Sequence, residues 1–529
     1  MVEKAKSLLT RANSQQTLTN AAALIAGAYL VSRLLGLVRD ALLFRHFQLG
    51  PELSAYYAAF RLPEMLFTLL VSGAFAVAFI PVLTEHLEKN QREQAWRVMS
   101  SLLNILVLAT LIGGVLIIIF ADPLTRLVAP GFDDATHELS TNLTRIMAIT
   151  PVLFAISSVL GSVQQAFNRF LIFSLAGVLY NLGIIVGILA LTGPFGIYGA
   201  AWGVVLGVVL QALLQWLGLY GLGIKYQPIL TLKLEGVRTT LKLMFPRSID
   251  QGIDQINYSV ETVIGSTISA NAIAQFSVAS NLKNVPLALI GSSITTAIFP
   301  RLASNAAKGQ REQLVDAYVS TARMILFLAI PAALFAVVSR GYLVRMIVGD
   351  GDQVAANTLG WFAGSIVFTS LFFLISRVYY ALQDTRTPLY LSLASIPLNI
   401  ILSFILSKMF GVEGLAMSAS IVAVLETIAL GIILRVKYGS FGERTVFSGA
   451  WRMVLAATFM MATTYLFIIN IVPLYAVDLG LLVLLPKFLL ILLVGSVAYL
   501  IPCYVMQLKE AKHIIARTRD MLARSLNLT

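Results

Sequence analysis

Ser32-Arg33-Leu34-Leu35-Gly36-Leu37-Val38-Arg39-Asp40 lies inside the first long apolar segment of the chain, between Leu24 and Phe47. A segment of that length is enough to cross about 30 Å of hydrocarbon. It would hold two arginines and an aspartate at bilayer depth, where each costs about 2.5–3.5 kcal/mol on insertion scales. At about 100° per residue, Arg33 and Asp40 fall on nearly one line of a helix. Ser32 and Arg39 share another line about a quarter-turn away. One flank of this helix is therefore cationic, and hydrocarbon is the wrong environment for it. Two readings stay open on the chemistry: an anion site in a water-filled cavity, or a buried Arg–Asp pair that locks helices together.

Working outward, the 529 residues are 58% hydrophobic and 12% charged, with a mean hydropathy of +0.84. Apolar runs of about 20 residues recur from end to end, which marks an all-α polytopic membrane protein of about fourteen spans rather than a soluble fold. The net charge of +12 then speaks to topology and anionic headgroups, not to nucleic acid. A single cysteine, Cys503, allows no internal disulfide and no cysteine-based metal site, and four histidines make a His cluster unlike this chain. Residues 1–20 are polar, with Lys4, Lys6 and Arg11. The apolar run behind them is too long for a cleaved signal peptide, so a retained first helix is expected.

Basic residues gather in alternate connections. They include Lys89, Arg92 and Arg97, then Arg169, then Lys225, Lys233 and Arg238, then Arg301, Lys308 and Arg311, then Arg386, then Lys437, Arg444 and Arg452, and finally a tail from Lys509 to Arg524. The intervening loops are poor in base, and one carries Asp122, Asp133, Asp134 and Glu138. The alternation predicts both termini in the cytoplasm, with Arg45, Arg340 and Arg345 as exceptions. The chain also repeats itself. Ile80-Pro81-Val82-Leu83 with Asn90-Gln91-Arg92-Glu93-Gln94 recurs as Phe299-Pro300-Arg301-Leu302 with Gly309-Gln310-Arg311-Glu312-Gln313. Gly196-Ile197-Tyr198-Gly199 recurs as Gly411-Val412-Glu413-Gly414. Six spans separate the copies, so two parallel bundles are expected, a plan suited to alternating access. The expected divisions are an N-terminal segment 1–20, a six-helix bundle 21–222, a linker 223–239, a second bundle 240–437, two extra helices 438–506 and a basic tail 507–529.

Three further constellations stand out. In the seventh span Arg247, Asp250, Asp254, Asn257 and Glu261 share one helical stripe. Three carboxylates on a membrane stripe suggest a cation or proton site, for Na⁺ or H⁺, against the plainer reading that they wet a cavity mouth. The eighth span holds Asn281 and Lys283, and an intramembrane lysine usually has an acidic partner. In the second span Arg61 and Glu64 flank Pro63, read as a gate or as a satisfied kink. No nucleophile–base pair, phosphate loop or metal motif is present, and no loop is long enough for the soluble catalytic segment of a membrane glycosyltransferase.

These residues resemble the MurJ (MviN) flippases of the multidrug/oligosaccharidyl-lipid/polysaccharide exporter superfamily. The stretch quoted first carries the resemblance, with Ala58-Ala59-Phe60-Arg61-Leu62-Pro63, Ala78-Phe79-Ile80-Pro81, Pro130-Gly131-Phe132-Asp133, Leu143-Thr144-Arg145-Ile146-Met147 and Tyr380-Ala381-Leu382-Gln383-Asp384-Thr385-Arg386-Thr387-Pro388. The resemblance implies a bacterial inner-membrane transporter, not an enzyme, that moves the undecaprenyl-pyrophosphate-linked peptidoglycan precursor (lipid II) to the outer leaflet. It implies a lipid-tail groove on the two extra helices, and cell-wall synthesis machinery as a further partner. No cofactor is expected; the energy source would be Na⁺ or H⁺ coupling or the membrane potential. Arg33 and Arg39 match the family's first-span arginines, and Asp40, Arg61, Arg247, Asn281 and Lys283 join them as candidate substrate contacts. Asp250, Asp254, Asn257 and Glu261 are the candidate ion-coupling set. The chain departs from the family pattern at Ser54, Phe67-Thr68, Ser72 and Ser280-Asn281, where charged residues are usual. The alternatives are a flippase for another polyprenyl-linked oligosaccharide, a cation-coupled exporter of small amphipathic molecules, and a non-transporting cell-wall scaffold.

Overall fold

The computed structural model describes residues 18–71, 74–475, 477–478 and 480–512; the side chains at 18–26, 74, 246–247, 249–250, 253–254 and 482 are outside that description. The polar N-terminal segment as far as residue 17 and the basic tail beyond 512 also lie outside it. Among the described residues every regular element is a helix. Among the described residues twelve helical stretches are long and apolar enough to cross a membrane. Two more are long enough, α1 (Leu18–Phe47, 30 residues) and α11 (Glu235–Ile268, 34 residues). With them the count reaches the fourteen expected, and they are the two helices that carry the dense ionisable clusters.

The first compact unit ends at Ala274 and the second begins at Gln275. In the first, α1 is followed by α2 (Pro51–Leu70), α3 (Ala74–Glu88), α4 (Arg92–Ile119), α5 (Ala121–Val128), α6 (Asp134–Met147), α7 (Thr150–Ala166) and α8 (Phe170–Val186). A π-type turn (Gly187–Leu191) then leads through α9 (Thr192–Phe195) to α10 (Ile197–Gly218) and α11. Proline opens α2, where no intrahelical N–H is needed. Asp133 caps α6 by accepting from the Thr136 amide. The core is aromatic and branched, with Phe75, Phe79, Trp96, Met99, Val159 and Val237 all buried. α8 and the π-type turn that continues it touch α10 backbone to backbone. A Cβ on Gly187 would lie 2.2 Å from the Gly203 Cα, and one on Gly183 2.3 Å from the Gly207 Cα. Such small-residue crossings replace the hydrophobic drive that is missing inside lipid. α11 packs on α2 and α3, with Gln255 donating to Thr68 at 3.4 Å and Gly252 laid against Leu69. The packing unit thus runs one helix past the linker, while the sequence repeat is counted from the linker.

The second unit comprises α12 (Ala272–Pro286), a π-type turn (Leu287–Ser292), α13 (Ser293–Ala307), α14 (Arg311–Val348), α15 (Gln353–Trp361), α16 (Ala363–Ala381), α17 (Arg386–Phe410), α18 (Val412–Tyr438), α19 (Glu443–Asn470) and α20 (Leu481–Val505). α17 and α18 are joined by a buried network in which Ser418 donates to the Asn399 side chain at 2.9 Å and Ser403 donates to Ser418 at 3.0 Å. The last two helices pack on α14 and are fastened at both ends. At one end the Arg323 fork meets Glu510 at 2.5 and 3.1 Å. Burial there pushes the Glu510 carboxyl up, and the Arg323 hydrogen bonds outweigh it and hold it low. At the other end Tyr342 donates to the Val472 carbonyl, Arg345 donates to the Asp350 and Tyr475 carbonyls, and Lys487 pairs with Asp478. Arg340 likewise donates to the Val337 carbonyl. Two of the three arginines that break the charge alternation therefore serve as backbone clamps.

The repeat is visible in the turns. Gly196 (φ 53°) and Gly411 (φ 60°) occupy the same unusual backbone region, and each is bonded to the carbonyl four residues earlier. Only glycine holds such a conformation cheaply. Asn168 and Gln383, at φ 57° and 61°, likewise end α7 and α16 with the same hydrogen-bond pattern. The side chains that follow differ. Arg169 donates to the Gly218 and Tyr220 carbonyls at the end of α10. Asp384 instead accepts from Thr387 and from Lys437 (2.7 Å) at the end of α18. Burial opposes the Asp384 charge, but the Lys437 and Thr387 hydrogen bonds win and draw its carboxyl down to about 2. A depressed carboxyl contributes stability above its unfolded value and loses it as pH falls through the folded one. Asp384→Asn should therefore cost about 1–2 kcal/mol at neutral pH, discounted because Lys437 is half-exposed. Comparing thermal melting of the two proteins from pH 7 down to pH 2 should show the gap closing only at the acid end.

Candidate functional site

The candidate residues of the first unit sit where α1, α2, α8 and α11 meet in pairs, and Arg33 and Arg39 of α1 have different surroundings. Arg39 is held at each of its three guanidinium nitrogens. Its Nε and Nη2 donate to Asp40 Oδ1 at 2.9 and 2.7 Å, and its Nη1 donates to Asn181 Oδ1 at 3.1 Å. The Asn181 amide returns across α8 to the Ser32 carbonyl (3.1 Å), the Ser32 hydroxyl (3.2 Å) and the Gly177 carbonyl (2.9 Å). Gly177 permits this approach, since a Cβ there would meet the Ser32 hydroxyl at 2.8 Å. Asp40 is buried.

Arg33 is near the middle of α1 and is exposed. Its Nε and Nη2 donate to the Tyr29 hydroxyl, one turn back, at 3.0 and 2.6 Å, and the guanidinium lies 5.0 Å from the Tyr29 ring centre. Among the described residues no carboxylate comes within ion-pair distance of it. The phenol is a neutral acceptor on the guanidinium edge that would otherwise fit an anion, so it orients the fork without neutralising it.

On α2, Tyr56 and Tyr57 stand edge to face at 5.7 Å. Arg61 then links α2 to α11. Its Nε donates to the Thr262 hydroxyl at 2.8 Å, its guanidinium lies 5.5 Å from the Tyr258 ring centre, and Glu64 stands 3.7 Å away. Arg61 is thus a bridge to the helix that carries the carboxylate stripe. The same end of α11 is closed against the α5–α6 connection, where the Gly131 amide donates to Ser266 at 3.2 Å. A Cβ on Gly131 would stand 2.3 Å from the Ser266 carbonyl oxygen, which accounts for glycine there.

Asn257 and Glu261 are half-buried one turn apart on α11, beside Tyr258 and Thr262. The side chains of Arg247, Asp250 and Asp254 lie outside the described residues. Asn281 and Lys283 belong to the second unit, where Lys283 Nζ sits 4.2 Å from the Phe362 ring centre. Nearby, Gln275 donates to Asp352 at 2.9 Å. Among the described residues no group of three or more His, Cys, Asp or Glu is arranged to hold a metal ion.

Sequence reading missed several participants. Asn181 is a strongly polar side chain in an otherwise apolar helix, and polarity at bilayer depth was the available signal. The same signal marks Glu426, in the middle of α18, whose carboxylate accepts from Ser392 at 2.8 Å. Tyr29, Tyr57 and Thr262 gave no such signal, because nothing in their spacing separates them from ordinary core or lipid-facing residues. The departures from the family pattern also have local roles: Ser54 is buried and accepts from the Ala274 amide at 3.2 Å, and Thr68 accepts from Gln255.

The family profile described as "Lipid II flippase MurJ" matches residues 45–485. The chain belongs to the MurJ family. Among curated relatives, a probable lipid II flippase MurJ of Bdellovibrio bacteriovorus is 29% identical over 456 residues, covering 83% of this chain and 86% of the relative. The lipid II flippase MurJ of Burkholderia cenocepacia is 26% identical over 425 residues, covering 78% and 82%. Among solved structures, a lipid II flippase MurJ in its inward closed conformation superposes with a TM-score of 0.77 at 23% identity, over 92% of this chain and 98% of that one. An inward-facing multidrug resistance MATE family transporter of the MOP superfamily superposes at 0.67 and 17% identity, over 78% and 96%. At these identities the superpositions speak for the fold, and the MurJ profile speaks for the family.

Proposed function

We propose that this chain flips lipid II from the cytoplasmic to the outer leaflet of a bacterial inner membrane, with both termini in the cytoplasm. The observation that carries the reading is Arg33, a cation in the middle of a spanning helix, exposed, oriented by a neutral phenol and with no carboxylate partner among the described residues. Hydrocarbon is a poor setting for such a group, whereas a water-filled cavity that receives an anion suits it. The pyrophosphate diester of lipid II carries about two negative charges and cannot cross hydrocarbon unpaired. Guanidinium suits it because its planar fork donates two hydrogen bonds and stays charged when desolvated. Arg39, already paired with Asp40 and Asn181, serves as the rigid second contact, and Arg61, Arg247 and, in the second unit, Lys283 are further candidate contacts. Substrate neutralises the arginines and favours closure; after release, Asp250, Asp254 or Glu261, with or without a cation, resets the cavity.

The test is rescue of a bacterium depleted of its own flippase, together with a leaflet-resolved lipid II assay on the purified protein in vesicles. Growth with outward transfer is expected, and failure of both in cells where the protein reaches the membrane would overturn the reading. In the same vesicles Glu261→Gln is expected to keep lipid II binding, to slow turnover and to change its dependence on sodium or pH. Unchanged turnover at every sodium concentration and pH would remove Glu261 from the coupling set.

A further inference from the structure

The connection between α10 and α11 is bound down as an extended strap. Over residues 223–231 it has no helix, and its backbone is held by side chains of α4. The Gln227 amide donates to Ser100 at 3.1 Å, the Thr231 amide donates to Ser101 at 3.0 Å, and Ser101 in turn donates to the Thr231 carbonyl at 2.8 Å. Asn104 donates to the Ile229 carbonyl at 2.8 Å. The backbone at Gln227, Ile229 and Thr231 thus faces the helix, and the Tyr226 hydroxyl also donates to Asn104, at 2.8 Å. Beyond it the apolar side chains Leu230 and Leu232 are 59% and 58% exposed.

α4 gives the depth of this strap. Its first turns, Arg92-Glu93-Gln94-Ala95-Trp96-Arg97, are polar, whereas Leu102–Ile119 contains no charge. That apolar part is about 27 Å long, close to one hydrocarbon thickness. Ser100, Ser101 and Asn104 therefore mark the boundary between hydrocarbon and headgroups, and the strap lies along it. Its charge is one-sided. Lys225, Lys233, Arg238 and Lys242 are exposed over the same stretch as the one acid, Glu235, and Arg97 of α4 is exposed beside them. Arg238 also donates to the Leu232 carbonyl at 2.7 Å, which fixes the end of the strap.

We propose that this strap is a binding surface for anionic phospholipid: Leu230 and Leu232 enter the leaflet between headgroups, and Lys225 and Lys233 hold the lipid phosphate. An apolar row flanked by cations at the interface is the chemistry that such a lipid fits. The surface is separate from the substrate site and stands whether or not the substrate is lipid II.

The test uses the full chain carrying Leu230→Cys in a Cys503→Ser background, labelled with an environment-sensitive fluorophore. It is placed in phosphatidylcholine vesicles containing a brominated quencher lipid, either phosphatidylglycerol or phosphatidylcholine. Stronger quenching by the brominated phosphatidylglycerol is expected, with a local enrichment on the order of fivefold per lysine at low salt. That preference should fall away in Lys225→Gln/Lys233→Gln and at high salt, with unchanged melting because both lysines are exposed. Equal quenching by the two lipids would overturn the proposal in favour of simple apolar insertion. No quenching by either would overturn it in favour of a strap covered by protein or facing water.

Discussion

Arg33→Ala should abolish lipid II binding and transfer while leaving the melting temperature of the protein unchanged. The side chain is exposed and reaches Tyr29 on its own helix, so its loss orphans no buried group. The loss falls on the anion. A hydrogen bond to a charged group is worth about 1.5–3 kcal/mol, and a bidentate contact has two, so affinity should drop by more than about 100-fold. Arg33→Lys should recover little, because an ammonium is a point charge and not a fork. The measurement is lipid II binding and leaflet-resolved transfer, read beside thermal melting. Normal binding and transfer by a well-folded Arg33→Ala protein would remove the observation on which the proposed function rests. The matching change at Arg39 reads differently. Arg39→Ala would leave Asp40 buried without its guanidinium, and a broken buried pair costs about 3–5 kcal/mol. A dead Arg39→Ala protein would therefore not distinguish an anion site from a lock, whereas one that folds and flips normally would assign Arg39 to the lock.

The contrast between these arginines shows what the sequence could and could not supply. Helical spacing put Arg33 with Asp40 and Arg39 with Ser32. In the structure Arg39 takes its own neighbour Asp40, because a long side chain can turn along the helix surface, and its other contact, Asn181, comes from a helix 142 residues away. Spacing gives the direction of a Cα–Cβ bond, not the endpoint of a guanidinium. The link from Arg61 to Thr262 was unreadable for the same reason: threonine at the end of a helix announces nothing until a partner helix brings a cation to it.

The fold was more legible, because its signals are local. Apolar run length gave the number of spans, and the recurrence of Gly196 and Gly411 gave the repeat, since a left-handed turn demands glycine in both copies. Helix pairing left a fainter trace. Gly183 and Gly187 are four apart, as are Gly199, Gly203 and Gly207, yet such spacings also arise by chance in apolar helices. Only the structure shows that these two rows face each other.

That crossing gives the second large effect, a loss of stability from adding a single methyl group. In an exposed helix, Gly→Ala stabilises by about 1 kcal/mol through backbone entropy. At Gly187 the expected sign is reversed. The new Cβ would stand 2.2 Å from the Gly203 Cα, 2.8 Å from its nitrogen and 2.9 Å from the Gly199 carbonyl oxygen, all of them backbone atoms. No side chain can swing aside, so α8 and α10 must separate and lose contacts along the whole row. Overpacking of a tight interior costs about 1–3 kcal/mol, and a backbone-to-backbone clash belongs at the upper end. Gly187→Ala should melt several degrees below the parent protein in detergent. It should also lower transfer, since α8 carries Asn181, the partner that fixes Arg39. Gly193→Ala is the control. Nothing lies within 4 Å of its added methyl group, so melting should hold or rise. A Gly187→Ala protein that melts as high as the Gly193→Ala control would mean that α8 and α10 are not held at this distance in the membrane.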